Sequence, residues 1–312
     1  MTGQSTDYWW SGPICGLGNR LIAIAALKAC VGARRIYFPW SNDPSCPGAF
    51  DDIFQPDPNL IPAPAPPAGA VVLKTHGWEP LTIHRQLKEA LKLSLSREAF
   101  CRKFVMALRG LAFRDDILIS VRSWREKCPE ALVGVHLRRT DRVKHHRDQF
   151  RAFLLRKQGL NRELPAALSA LYGLAPDAFV RKYENASITR ALKRFHTREG
   201  ESRYAVFTDD PAEGADFVRI LKKCGKVYAP EATAAIERPN STMRSTDIKS
   251  ALVDLLRLSR CDAIAQGNRA STFSIAAAII GTREILTPEP LYPFWRVVTA
   301  ETGRPANGPA LK

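Results

Sequence analysis

Apolar residues along this chain recur with two periods, and the alternation between them is the strongest structural signal. The glycine turn Gly16-Leu17-Gly18-Asn19 opens an apolar helix over residues 20–31, and a short strand follows over 35–38. Prolines at 56, 58, 62, 64, 66 and 67 exclude a helix or a central strand, so residues 56–67 are expected to form a surface loop or arm. Residues 71–74 form a further predicted strand. Three helical stretches follow between Ile83 and Cys128, the last placing Ile117, Leu118, Val121 and Trp124 on one face.

A different texture begins near Pro129. Residues 131–137 have the continuous apolar run of a buried strand, and a long basic helical region covers about 148–198. Strands are then predicted at 204–207, 227–229, 263–265 and 284–286, and helices at 212–224, 246–259 and 272–280. Strands separated by helices of this length imply a parallel, doubly wound sheet. Beyond Pro288 there is little pattern besides Tyr292-Pro293-Phe294-Trp295. With 312 residues, the chain exceeds the usual size of one domain. We expect an α/β protein with an N-terminal domain over 1–128, a C-terminal domain over 129–287 carrying the 148–198 insertion, and a tail over 288–312.

Charge and cysteine content narrow the chemistry. A net charge of +15 favours a polyanionic partner, which admits nucleic acid, an anionic membrane or a phosphorylated small molecule. The basic segment 151–198 has few interleaved aromatics, which disfavours stacking on single-stranded nucleic acid. Seven widely spaced cysteines, with no CxxC or HExxH pattern, argue against both a disulfide framework and a zinc site. No basic region followed by an apolar run marks the start of the chain, and the apolar stretch 21–33 is too short to cross a bilayer. These features lead us to expect a cytoplasmic protein whose positive surface can touch an anionic inner leaflet.

In a parallel sheet, ligands bind beyond the carboxyl ends of the strands, so candidate residues are sought there. Arg138 and Arg139 follow the strand ending at Leu137, and forked guanidinium hydrogen bonds suit a diphosphate. They can also neutralise the charge that develops on a nucleotide leaving group. Asp209 follows the next strand; Asp210, directly before Pro211, has the pattern of a helix cap. Ser271, Thr272, Phe273 and Ser274 open a helix whose free N–H groups would face an anion. Asp254 sits on an otherwise apolar helix. Its carboxylate could accept both N–H groups of a guanine edge, or pair locally with Arg257. Gly16-Leu17-Gly18-Asn19-Arg20 resembles half of a dinucleotide-binding fingerprint, lacking its third glycine.

Taken together, these residues resemble the inverting fucosyltransferase superfamily, which includes α-1,6-fucosyltransferases and protein O-fucosyltransferases. The stretch from Gly134 to Val143, Gly-Val-His-Leu-Arg-Arg-Thr-Asp-Arg-Val, is similar to a first shared motif. Thr208-Asp209-Asp210-Pro211 resembles a second. Asp254 through Ser259, Asp262 and Ser271–Ser274 resemble a third. In the first half, only Gly18-Asn19-Arg20-Leu21 matches.

The resemblance implies a GT-B fold with two facing Rossmann-like domains. It also implies metal-independent transfer from GDP-fucose to a glycan or other hydroxyl acceptor, with inversion and with no cofactor beyond the GDP-sugar. It places Arg138 on the β-phosphate, His136 and Asp254 at the guanosine end, and Ser271–Ser274 on the phosphates. Arg139, Asp209, Gly18, Asn19 and Arg20 complete the expected donor contacts. Asp141 and the pair His145 and His146 are the candidates for the general base that takes the acceptor proton. Another GDP-sugar donor is the nearer alternative, and a basic nucleic-acid-binding protein is the alternative of a different class.

Overall fold

Short runs of bulky and β-branched residues build two separate parallel sheets. The computed structural model describes residues 7–11, 15–40, 42–43, 46–75, 77, 79–128, 132–137, 185–186, 188–193, 195, 203–208, 211–223, 225–228, 247–266, 271–286, 291 and 293–300. The first sheet contains β1 (Tyr8–Trp10), β2 (Ile36–Phe38), β3 (Leu60–Pro62) and β4 (Val71–Leu73), in the order β3-β2-β1-β4. The second contains β5 (Leu132–Leu137), β6 (Arg203–Thr208), β7 (Val227–Tyr228), β8 (Ala263–Gln266) and β9 (Glu284–Leu286), in the order β7-β6-β5-β8-β9. The strands of both sheets pair in parallel. The fold is therefore the α/β, two-sheet GT-B architecture expected from the motifs. Strand order reverses between β1 and β4 in one sheet and between β5 and β8 in the other, and such switch points are where parallel sheets bind ligands.

Three elements depart from the sequence reading. The expected loop over 56–67 contains the edge strand β3. Leu60 and Ile61 pair with β2, and Pro62 closes the strand at an edge, where a missing N–H is tolerated. Strand β1 was not predicted, because Tyr8-Trp9-Trp10 is too short to show a period. The patternless tail contains a helix over Pro293–Ala300, which starts on a proline that is preorganised for the first turn.

Helix α1 (Leu17–Val31) starts three residues earlier than its pattern suggested and is buried on nearly every face, as its continuous apolar composition requires. Helices α2 (Pro80–Ala90), α3 (Arg97–Arg109) and α4 (Asp115–Glu126) complete the first half. In the second half come α5 (Pro211–Leu221), α6 (Ile248–Ser259), α7 (Thr272–Gly281) and α8 (Pro293–Ala300). The Ser96 hydroxyl caps α3 by accepting from Ala99 N, and the Asp247 carboxylate caps α6 by accepting from Ser250 N.

One continuous core joins the two sheets. Leu21, Ile24 and Leu27 of α1, Phe100 and Phe104 of α3, Leu252 and Leu255 of α6, and Ile275 and Ile279 of α7 belong to a single buried cluster. A smaller cluster lies on the opposite face of the second sheet, around Val133, Val135, Tyr204, Val206 and Phe217. Polar contacts reinforce the join: Arg109 Nε donates to Ile279 O at 2.8 Å, and Ile248 N donates to Pro47 O at 2.8 Å. Helix α8 seats Phe294 and Trp295 against Phe104, with ring centroids 6.1 and 6.4 Å apart.

Among the described residues six cysteines are free, all but Cys15 buried, and burial raises the Cys30 thiol to about 12. No described helix is long and apolar enough to cross a membrane.

Gly281 ends α7 where it passes α6, and a Cβ there would lie 1.9 Å from Ser259 O. Backbone cannot yield as a flexible side chain can. Gly281→Ala should lower stability by about 3 kcal/mol, the upper part of the range for overpacking, read as a lower urea midpoint at unchanged slope.

Candidate functional site

Two helix N-termini meet where the sheets' carboxyl ends converge. Strand β1 leads into α1, and β8 leads into α7. A Cβ on Gly18, in the first turn of α1, would lie 2.8 Å from Phe273 N and 3.0 Å from Thr272 C in the first turn of α7. Glycine at 18 is thus required by backbone approaching backbone. Neither N-cap residue, Gly16 or Ser271, closes its helix with a side-chain hydrogen bond. Both helices therefore direct the positive end of their dipole and their first-turn amides toward one junction, an arrangement that suits an anion.

His136 holds the second half of this junction in place. It lies at the end of β5, in register with Phe207 of β6 and Gln266 of β8. Its Nδ1 is 2.7 Å from Ser274 Oγ and 3.3 Å from Ser271 Oγ. Its ring stacks on Phe273, with centroids 4.7 Å apart. The hydroxyls of Ser271 and Ser274, expected to meet phosphates, are instead turned inward onto the imidazole and each other. The backbone amides of the first turn remain for an anion.

Asp254 is buried on α6, with Oδ1 3.9 Å from Arg257 Nη1. Arg257 in turn lies over the Trp124 ring at 5.9 Å, and Trp124 meets Phe207 edge-on. Burial pushes the Asp254 carboxyl up to about 7, against the opposing pull of Arg257. Asp262, also within the third motif, has a structural role. Its carboxylate accepts from Leu132 N at 2.9 Å and faces Arg125 and Arg283, pinning the start of β5 beside β8.

Apart from Asp254, the expected residues divide into three groups. Gly18, Asn19, His136, Ser271, Thr272, Phe273 and Ser274 lie at or beside the junction of α1 and α7. Arg20, expected as a donor contact, makes internal contacts: its guanidinium pairs with Asp43, Nε donates to Cys15 O at 2.6 Å, and its carbon centre sits 4.7 Å over the Trp40 ring. Arg138, Arg139, Asp141, His145, His146, Asp209 and Asp210 lie outside the described residues, as does most of the basic insertion. Sequence reasoning did not single out Gln266, whose signal was a lone amide at the end of an otherwise apolar strand. Among the described residues, no group of three or more His, Cys, Asp or Glu could hold a metal ion.

No protein-family model matches the chain, and no curated protein matches its sequence. Solved structures do align with it. Fucosyltransferase NodZ from Bradyrhizobium is 15% identical, with 88% of this chain and 92% of that one covered, at a TM-score of 0.46. POFUT1 in complex with GDP-fucose is 13% identical, covering 90% and 96%, at a TM-score of 0.47.

Asp254 gives the site a pH signature. A carboxyl whose folded pKa lies above its unfolded value of 3.8 is a cost that grows as pH rises from about 4 to about 7 and is constant above that. Asp254→Asn should therefore gain stability relative to the native chain as pH rises through that window, by up to about 1.4 kcal/mol per pH unit. Paired urea melts at pH 5 and pH 8 measure this, and a gain that shrinks with pH would contradict it.

Proposed function

We propose that the chain is a glycosyltransferase that moves a sugar, fucose in the first instance, from a GDP-linked donor to a hydroxyl acceptor. The observation that carries this reading is the meeting of α1 and α7 at Gly18 and Phe273. Two first turns without side-chain caps, one from each half of the chain, meet there in backbone contact. A donor diphosphate is an anion of suitable charge and length to lie there. Arg138 and Arg139 follow in sequence from the end of β5, one and two residues beyond Leu137.

In this reading Arg138 takes the β-phosphate. As the bond from the anomeric carbon to the phosphate oxygen lengthens, negative charge gathers on the departing nucleoside diphosphate. The guanidinium and the helix amides stabilise that charge more than they stabilise the ground state, which is what lowers the barrier. The acceptor hydroxyl attacks the anomeric carbon from the opposite face, giving inversion, and loses its proton to Asp141 or to His145 or His146. Asp254 accepts from the guanine edge when ionised. His136, engaged with Ser271 and Ser274, fixes the start of α7 so that the amides are preorganised.

The donor assignment predicts a selective thermal shift. GDP should raise the melting temperature in the absence of added metal, while UDP and ADP should not, because only a ligand bound by the folded chain stabilises it. No shift with GDP would sink the reading. Arg138→Ala should abolish release of GDP from GDP-fucose in the presence of acceptor extracts while keeping the native melting temperature. A panel including GDP-mannose separates fucose from other GDP-linked sugars.

A further inference from the structure

Gln266 is almost fully buried, at 1% exposure, and neither its Oε1 nor its Nε2 has a hydrogen-bond partner. A buried amide with both groups unsatisfied is costly, on the order of 1–3 kcal/mol for each group. A Met or Leu of similar volume would avoid that cost. The position of Gln266 gives the cost a purpose. It is the last residue of β8, at the switch point, and its register partner on β5 is His136. Side chains alternate along a strand. Ile264 faces the core shared by the two sheets, whereas Ala265 faces the smaller cluster, so Gln266 lies on the same face as Ile264. Gly134, two residues before His136, likewise abuts Leu258 and Cys261 on that face. His136 and Gln266 are therefore neighbours on one face, and His136 touches the first turn of α7.

A second unpartnered group stands across the junction: Asn19 Oδ1, buried in the first turn of α1. The two sites share a chemical demand. Helix amides need an acceptor, which a diphosphate supplies. Asn19 Oδ1 and Gln266 Oε1 need a donor, which a diphosphate lacks. A ligand satisfying both must carry an anion and hydroxyl groups close together. A hydroxyl both donates and accepts, so one sugar edge can answer the two halves of a carboxamide. The sugar of a sugar nucleotide hangs from the terminal phosphate, whereas the base is at the far end.

We propose that Gln266 is a specificity-determining residue, its carboxamide reading hydroxyl groups of the donor sugar at the junction of α1 and α7. This rests on the sugar-nucleotide reading above and adds a residue to it. The cost of the unsatisfied amide in the free protein is recovered only when the correct sugar binds, because a site built around hydrogen bonds rejects analogues that leave them unmade.

The test is Gln266→Met, with binding of GDP and of GDP-fucose and GDP-mannose measured by calorimetry on both proteins, together with melting temperatures. The expected result has three parts. The variant melts higher than the native chain. Its affinity for GDP stays within about twofold, and its affinity for the preferred GDP-sugar falls about tenfold or more, since a lost hydrogen bond to a buried group costs roughly 1.4 kcal/mol or more.

Equal losses for GDP and GDP-sugar would overturn the sugar assignment and place the amide on the nucleotide. Unchanged binding of both would mean that the amide is merely hydrated, and would overturn it too. A variant that fails to fold, or melts lower, would show a structural role and overturn it. A native chain that binds UDP-sugars and not GDP-sugars overturns the guanine assignment and, with it, this proposal. A native chain that binds no sugar nucleotide overturns the donor reading and this one together.

Discussion

The contact between Gly18 and the backbone of Phe273 is the constraint on which the rest of the molecule turns. It brings two helix starts, each carrying roughly half a positive charge, to van der Waals distance. Like poles do not attract, so the contact does not hold itself together. The apolar flanks of the same helices hold it. Leu21, Ile22 and Ile24 on one side, and Ile275, Ala276 and Ile279 on the other, are among the most completely buried side chains. Each buried aliphatic side chain contributes on the order of 1.5–3 kcal/mol, which outweighs a dipole repulsion of a few tenths to about 1 kcal/mol. Hydrophobic packing thus holds an electrostatic arrangement that is unfavourable without a ligand.

The same economy governs the polar residues nearby. His136, Ser271 and Ser274 satisfy one another, so they add rigidity without exposing charge. Asp262 spends its carboxylate on the backbone of β5. Arg20 spends its guanidinium on Asp43, Cys15 and Trp40, fixing the segment that follows β2. Against this background of satisfied groups, Asn19, Asp254, Arg257 and Gln266 keep buried atoms without a hydrogen-bond partner among the described residues. Several of the motif residues thus make internal contacts that hold the junction in place.

Much of the fold was legible because the central helices and the second-sheet strands are long enough to show their periods. Helices α6 and α7 and strands β5, β6, β8 and β9 fall within a few residues of their predicted bounds, and the apolar face predicted from Ile117 to Trp124 lies within α4. Strand β1 was not, since three residues cannot establish a repeat. Strand β3 was hidden by proline, whose usual exclusion from sheets relaxes at an edge. At the site, the sequence marked strand ends and helix starts correctly. It could not say that Ser271 and Ser274 turn inward, because that depends on where an imidazole 135 to 138 positions earlier comes to rest. Nor could it single out Gln266, whose meaning lies in the missing partners around it and not in its identity.

The shared core has a further consequence, which concerns motion. Were each sheet to close over a core of its own, the two halves could swing on a hinge. Here α1, α3, α6 and α7 contribute to one cluster, and prising the halves apart would expose Leu21, Phe104, Leu252 and Ile275 to water together. That penalty makes the two halves a single cooperative unit, which should melt in one transition. The two helix starts that meet at Gly18 and Phe273 belong to that unit, so their alignment lasts as long as the unit stays folded.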